Sequence, residues 1–600
     1  MTLAGERFAL FDGDGGSAIL LSEYRRTLCF DGDGEDCADR SGDLASVFEA
    51  IEAASANGEW VALAADYALG AFFEPAAVRS RPRRASLRGW VFGQARQLDV
   101  RALEAFLDQC LARVPEYLRV AGVAEFSPRL EAMSHAAKVE QIRRWITEGD
   151  CYQINLTFPL DFRIYGHPLA LYARLRERQP VRYGAYVVTP EETLLSFSPE
   201  LFFERSGERV LTRPMKGTAQ RGATPEDDEV QRMALLASEK ERAENIMIVD
   251  LLRNDLGRLA APGKVRVESL CEAEAYPSLW QVVSSVSADL PDVRLYDLFR
   301  ALFPCGSITG APKIRAMQRI ADLESTPRGL YSGALGWVAP GGDCRFNVAI
   351  RTLEVAPDGR ASLGVGSGIV IDSDPGREYA ECLLKSRFLT GFDPGFELIE
   401  TMRLEFGKFP LLTLHLERLA ASARALGFAC DVPALAVALT ELSTDCADGI
   451  HRVRLTLAHD GQYRIDLTKM SDDGQSWQVV LADERLDADD YLLRHKTSAR
   501  SLYDRALVRL ADHPKVFDAL FLNTRGEVCE GARSNVFIER GRVLLTPPLS
   551  CGLLPGVMRR HLLESGRARE CVLTLDDLLD APGIHMANAL RGLIPVSMRA

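Results

Sequence analysis

The stretch Thr390-Gly391-Phe392-Asp393-Pro394-Gly395 decides how this chain is read. Two glycines and a proline within six residues cannot continue the apolar helical pattern that ends near Phe388. Directly after it, Phe396-Glu397-Leu398-Ile399-Glu400-Thr401 restarts with strand-forming residues. The chain therefore reads as a first part, residues 1–390, and a second part, residues 396–600, joined by a linker at 390–395. The first part reads further as a subregion at 1–120 and a core at 121–390. Upstream of the linker, strand patterns at 183–188 and 345–353 alternate with helices. The clearest helix spans 228–256, with Met233, Leu236, Ile246, Val249 and Leu252 among charges. Downstream, strands precede a helix over 415–426, and both types mix around 556–565. Both parts are expected to be α+β.

Composition narrows the function classes. With 47% hydrophobic and 26% charged residues, the chain can build a packed core and is neither disordered nor fibrous. A formal net charge of −13 opposes the basic footprint of a nucleic-acid binder, so no nucleic acid is expected as a partner. The 13 cysteines include no C-x-x-C pair, so they are read as reduced, largely structural thiols of a cytoplasmic protein. Residues 1–7 show no basic region leading into an apolar one, and no uncharged apolar run reaches the ~20 residues that span a bilayer. No membrane association is expected. Phe11-Asp12-Gly13-Asp14-Gly15-Gly16 resembles a metal loop but lacks the distal Glu of an EF-hand, and is read as a surface turn.

Several residues carry possible chemistry. Glu200 follows Ser198-Pro199, Lys216 stands in Pro214-Met215-Lys216-Gly217-Thr218, and Glu244 lies on the long helix. Glu378, Glu381 and Lys385 share one helical face, where Glu381 before Lys385 also fits an ordinary exposed ion pair. In the second part, Arg418, Lys496, Glu530 and the turn Gly552-Leu553-Leu554-Pro555-Gly556-Val557-Met558-Arg559 stand out. A lysine among arginines, taken alone, is a surface residue, and a glycine-rich turn entering a helix is a weak anion signal.

The order of motifs in the first part resembles the chorismate-utilising enzyme family. Those motifs are Glu148-Gly149-Asp150-Cys151-Tyr152-Gln153-Ile154-Asn155-Leu156, Phe197-Ser198-Pro199-Glu200 and Pro214-Met215-Lys216-Gly217-Thr218, then the helix 243–256. Gly306-Ser307-Ile308-Thr309-Gly310-Ala311-Pro312-Lys313 and Gly364-Val365-Gly366-Ser367-Gly368-Ile369-Val370 complete the set. The resemblance implies a β/α sandwich that binds chorismate. It implies Mg²⁺ held by Glu244 and Glu381 with Glu378 beside them, and carboxylate binding by Tyr331, Arg351, Lys385 and the backbone of Gly366 and Ser367, with Thr309 also at the substrate. Lys216, where other branches carry a small residue, together with Gln153, where water-activating branches carry lysine, implies attack by an amine. Lys216 would then add to ring carbon C2 while Glu200 protonates the departing C4 hydroxyl, and ammonia would enter at C4 to give 4-amino-4-deoxychorismate. A glutaminase needs a cysteine nucleophile and a histidine. His135 and His167 are the only histidines before residue 390, and neither Cys151 nor Cys344 has the second glycine of a nucleophile elbow. A separate glutamine amidotransferase subunit is therefore expected to supply ammonia.

The second part resembles the fold-type IV pyridoxal phosphate enzymes, with their two-subdomain fold. By that resemblance Lys496 forms the Schiff base, Glu530 pairs with the pyridine nitrogen, and Arg418 with the backbone N–H groups of Val557 and Met558 holds the phosphate. Met558 replaces a usual threonine, and Ala587-Asn588-Ala589 lacks the usual hydroxyls. The expected reaction is elimination of pyruvate to give 4-aminobenzoate, by a homodimer formed through this part. Two rivals remain: an anthranilate-type synthase joined to an aminotransferase, and a second part that is only a dimerisation module.

Overall fold

In the computed structural model, residues 7–32, 43–77, 85–276, 279–446, 448–470 and 476–599 are described. The helix expected over 228–256 is two helices, Pro225–Ala237 and Glu239–Gly257. Ser238 breaks it: its ψ of 112° leaves the helical region, and its hydroxyl accepts the Glu241 N–H to cap the second helix. Thr224 caps the first in the same way, with Pro225 at the first helical position, where a missing N–H does no harm. The strand expected over 345–353 is likewise two, Cys344–Val348 and Thr352–Val355. Between them Arg351 takes φ 49°, a left-handed conformation that no ladder accommodates.

The chain divides into two compact units. The first comprises residues 1–113, 127–162 and 172–391, and the second 114–126, 163–171 and 392–600. Local composition gives no sign that 114–126 and 163–171 count with the second unit.

The strands of the first unit among the described residues belong to one connected sheet system. The strand Met215–Gln220 pairs antiparallel with Leu279–Asp289, which also carries Val265–Ala275. Gly310–Ala311 pairs with Gln153–Tyr165. Helices Leu44–Ala56 and Leu295–Leu302 press their apolar faces onto the sheets. The centre of that core is Phe299, whose ring meets Phe48, Phe73, Phe202, Phe203, Phe303 and Phe346 at centroid distances of 5.1–6.4 Å. The turn read at 11–16 is only partly a surface turn. Asp14 and Gly15 are exposed, but Asp12 ends the strand Phe8–Asp12 and is buried, bound by Arg176 at 2.7 Å and Tyr172 at 2.9 Å.

The second unit has two subdomains, as expected. Leu398–Glu405, Ile450–Leu457 and Tyr463–Lys469 form a three-stranded antiparallel sheet, on which the helix Leu412–Leu426 packs through Leu419, Ala423 and Leu426. Eight strands among the described residues form the larger sheet, with Val516–Asn523 parallel to Trp477–Leu486. Every residue of Val516–Asn523 is buried, so both faces of that strand are covered. Among the described residues no helix is long and apolar enough to cross a membrane. Cys29, half-exposed on the strand Ala18–Asp31, is disulfide-bonded, which corrects the expectation of reduced thiols at that position. Cys151, buried in the core, is a free thiol.

Phe299→Ala is expected to remove about 3–5 kcal/mol from the first unit, because six packed rings cannot collapse onto the space left. Thermal unfolding followed by circular dichroism should show the loss, while Val508→Ala on an exposed face should leave the curve within about 0.5 kcal/mol of the parent.

Candidate active sites

In the first unit the chemistry gathers around Glu200. Its backbone follows the turn at Ser198-Pro199, whose Ser198 hydroxyl donates to the Val348 carbonyl at 2.6 Å. The carboxyl group is buried, and that burial pushes it up to about 7. A hydrogen bond from the Ser307 hydroxyl at 2.7 Å and the nearby charge of Lys216 pull the other way. Lys216 is half-buried on Met215–Gln220, and Gly217 beside it takes φ 91°. A Cβ at Gly217 would come within 2.9 Å of the Glu241 carboxylate, so glycine is what lets that helix approach.

Ser307 reaches Glu200 because its loop is clamped. Arg328 donates to the Ile308 carbonyl at 3.2 Å and the Asn155 carbonyl at 2.8 Å, and pairs with Glu324 at 2.8 Å. Lys313 pairs with Asp255 at 2.5 Å and donates to the Leu302 carbonyl at 3.0 Å. Thr309 lies inside this clamp, and its hydroxyl donates to the Cys305 carbonyl at 2.8 Å.

The acidic residues lie on two helices. Glu241 and Glu244 occupy one face of Glu239–Gly257, and Glu378 and Glu381 lie on Pro375–Leu384. Burial pushes the Glu241 carboxyl up, with the charges of Glu244 and Glu381 adding to it and those of Lys240 and Lys216 opposing. Carboxylates brought close enough to repel suit a hard divalent cation. Glu381 is half-exposed and pairs with Lys385 at 2.9 Å, the plain ion pair its spacing allows. Among the described residues no three acidic, histidine or cysteine side chains converge as a preformed metal nest. The donor chemistry fits Mg²⁺, with the remaining positions left to a ligand.

The expected carboxylate-binding residues do not all share one cavity. Arg351 lines a space of about 30 Å³ with Pro199, Met215, Tyr276 and Gln281, which joins it to the neighbours of Glu200 and Lys216. Burial pulls its guanidinium down from the usual range. Tyr331 lines a separate space of about 40 Å³ with Thr157, Arg328 and Gly364. Lys385 donates to the Gly366 carbonyl at 2.8 Å, next to the buried Ser367. The Gln153 amide nitrogen is buried without a hydrogen-bond partner among the described residues.

In the second unit one cavity of about 250 Å³ collects Lys496, Glu530, Arg418, Gly556, Val557 and the segment Ala587-Asn588-Ala589. Lys496 is not the surface residue its arginine neighbours suggest. Its carbonyl accepts the Ile399 N–H at 2.8 Å, and burial brings the amine down to about 7, helped by Arg500 and Arg418 and opposed by Glu400 and Glu530. Glu530 is pushed up to about 8 by burial, although the Tyr503 hydroxyl donates to it at 2.7 Å and Asn535 at 3.2 Å. A carboxyl group so poorly balanced suits a cationic ring nitrogen. Arg418 is held by Glu400 in a two-pronged pair at 2.8 and 2.6 Å. Burial would raise Glu400, but Arg418 and a His415 contact at 2.6 Å outweigh it and hold it at about 2. Val557 and Met558 open the helix Val557–Glu564, whose first-turn N–H groups have no intrahelical acceptor. A Cβ at Gly556 would lie 1.9 Å from the Asn535 side-chain oxygen, so a larger residue there would displace that amide. Pyridoxal phosphate fits this donor set: a neutral amine, a carboxyl group, a guanidinium and free backbone donors.

Four partners escaped the sequence reading: Ser307, Glu241, Glu400 and Tyr503. Glu400 had a signal, since it shares a strand face with Leu398, Met402 and Leu404, all apolar. Tyr503 had none, being 27 residues from its partner.

Residues 48–391 match the family described as chorismate binding enzyme, and residues 397–598 the family described as amino-transferase class IV. Aminodeoxychorismate synthase component 1 of Bacillus subtilis is 44% identical over 249 residues, 41% of this chain and 53% of that protein. Anthranilate synthase component 1 1 of Haloarcula marismortui is 41% identical over 267 residues, 44% of this chain and 54% of that protein. The chain thus spans about half the length of these relatives. The crystal structure of anthranilate synthase component I from Streptococcus pneumoniae superposes with a TM-score of 0.50 and 25% identity, covering 64% of this chain and 93% of that one.

Amine-selective labelling of Lys496 in the cofactor-free chain, read by mass spectrometry, should be half-maximal near pH 7. A half-point near the ordinary lysine value of about 10 would place the side chain in solvent.

Proposed function

Because this chain belongs to the chorismate binding enzymes, we propose that its first unit aminates chorismate to 4-amino-4-deoxychorismate and its second unit eliminates pyruvate to leave 4-aminobenzoate. One observation carries the reading: a lysine set against a buried carboxyl group occurs twice, Lys216 by Glu200 and Lys496 by Glu530. The intermediate is the product of one half and the substrate of the other, so each assignment supports its partner.

In the first unit the Lys216 amine adds to ring carbon C2 as the C4–O bond breaks. Glu200, protonated, delivers its proton to the departing hydroxyl, which leaves as water. Ammonia then bonds to C4 while the C2–lysine bond breaks and Lys216 is restored. Arg351 and Lys385 bind carboxylates, the first as a planar fork and the second as a point charge. Glu244 and Glu381, with Glu378 and Glu241 near them, would hold Mg²⁺, which when bound offsets the charge of the ring carboxylate. In the second unit Arg418, Val557 and Met558 would hold the phosphate of pyridoxal phosphate, with Glu530 at the ring nitrogen. When bound, that cofactor supplies an electron sink. Lys496 removes the substrate C4 proton and returns one to the departing enolpyruvate. A separate glutaminase subunit as ammonia source, a homodimer through the second unit and a cytoplasmic setting belong to the same reading.

Incubation of the full chain with chorismate, Mg²⁺, ammonium and pyridoxal phosphate should yield 4-aminobenzoate and pyruvate. Lys216→Ala should form neither, and Lys496→Ala should accumulate 4-amino-4-deoxychorismate. Appearance of 2-aminobenzoate would instead establish the anthranilate-type rival. A general acid must carry its proton, and Glu200 loses it near pH 7, so amination at fixed free ammonia should decline as pH rises through 7. Ser307→Ala removes a hydrogen bond that favours the ionised form, so the declining limb should move to higher pH.

A further inference from the structure

The helix Glu239–Gly257 presents Glu241 and Glu244 on one face and buries another, made of Asn245, Ile248, Val249, Leu252, Asp255 and Leu256. Four of these six are apolar, and apolar contact has no direction. It holds the helix down without fixing its rotation or its slide. The two polar members do that. Asp255 pairs with Lys313 at 2.5 Å toward the C-terminal end. Toward the N-terminal end, the buried Asn245 carbonyl oxygen accepts the Ser284 hydroxyl at 2.5 Å.

Ser284 is itself fixed from two sides. The strand Val265–Ala275 shifts register between Ser269 and Glu272, and inside that bulge Cys271 takes φ 54°. Its N–H donates to the Ser284 hydroxyl oxygen at 2.9 Å. With that oxygen accepting, the Ser284 hydrogen is left for Asn245, so the direction of the chain is set. The Ser284 N–H meanwhile donates to the Pro214 carbonyl at 3.2 Å, two residues before Lys216. One serine thus joins the helix of Glu244 to the segment that carries Lys216.

We infer that Asn245 is a positioning residue, which through Ser284 sets the rotation of its helix so that Glu241 and Glu244 face a divalent cation beside Lys216. This rests on the reading of Glu244 and Glu381 as Mg²⁺ ligands. A helix turns about 100° per residue, so a slip of one position would carry Glu244 into the buried place of Asn245. Asn245 itself points into the protein and acts through the backbone it shares with Glu244.

The test uses the full chain and Mn²⁺ alone. Binding is read from the paramagnetic resonance of free Mn²⁺, and only binding that Mg²⁺ displaces and Glu244→Gln removes is counted. Asn245→Leu and Ser284→Ala should each weaken it about tenfold, as expected when the support of a metal ligand is lost. The double variant should be no weaker than either single one, because both remove the same contact. Val249→Ala thins the apolar stripe and keeps both polar pairs, so it should lower the thermal midpoint and leave Mn²⁺ binding unchanged. Cooperative thermal unfolding shows that each variant folds. The inference is overturned if Asn245→Leu and Ser284→Ala bind Mn²⁺ like the parent, if their losses multiply, or if Val249→Ala weakens binding as much as they do. A parent that binds no Mn²⁺ displaceable by Mg²⁺ would remove the metal reading itself, and this inference with it.

Discussion

A carboxyl group taken out of water resists ionising unless something nearby replaces the lost solvation, and both sites depend on how far this is allowed to go. Glu200 and Glu530 are buried with hydrogen bonds but, among the described residues, no direct ion pair, and they rise to about 7 and about 8. Glu400 is just as buried, yet Arg418 and His415 hold it at about 2. The partner set separates the three. Two of them keep their protons up to about neutral pH, and the third is a fixed anion that orients an arginine. Lys496 obeys the same constraint with opposite sign, losing its charge to burial and becoming available as an amine.

Such groups are useful only where the backbone holds them still. Around Glu200 this is done by buried charge pairs that touch no reacting atom. Arg328 with Glu324 and Lys313 with Asp255 fasten the loop that carries Ser307, each donating to carbonyls that the loop would otherwise leave unsatisfied. A second buried cluster lies elsewhere in the unit. Arg88 meets Asp66 at 2.8 Å and Glu192 at 2.5 Å, while burial pushes Glu354 beside it up to about 8. One guanidinium cannot balance three carboxyl groups, so one of them stays protonated. Glu354 accepts the Leu330 N–H at 3.2 Å, next to Tyr331, and so holds that turn in place.

The net charge of −13 has a local counterpart. Any anionic ligand must reach cationic side chains through an unfavourable overall field, which concentrates the burden on a few arginines. Arg351 is buried away from the water that would disperse its charge, and Arg418 and Arg500 line the cavity around Lys496. An acidic surface around sparse cationic pockets favours small anions that fit and disfavours polyanions that would have to lie across it.

The sequence by itself determined the α+β class of both parts, and it marked a break near residue 390 and the residues proposed for the chemistry, because these readings depend on short-range signals. Turn residues stop a helix locally, and Lys216 and Lys496 stand in contiguous motifs. The long helix was legible in extent but not in its break at Ser238, where a cap won over apolar periodicity. Arg351 was legible as a charge but not as the point where a strand stops, since its left-handed conformation is imposed by its surroundings. Only the tertiary structure decided which groups are buried and what they touch. Ser307 lies 107 residues from Glu200 and Tyr503 27 from Glu530, and the acidity of each carboxyl group depends on that company. Desolvation is a property of the packed surroundings, to which distant segments contribute, so no local stretch of sequence contains it.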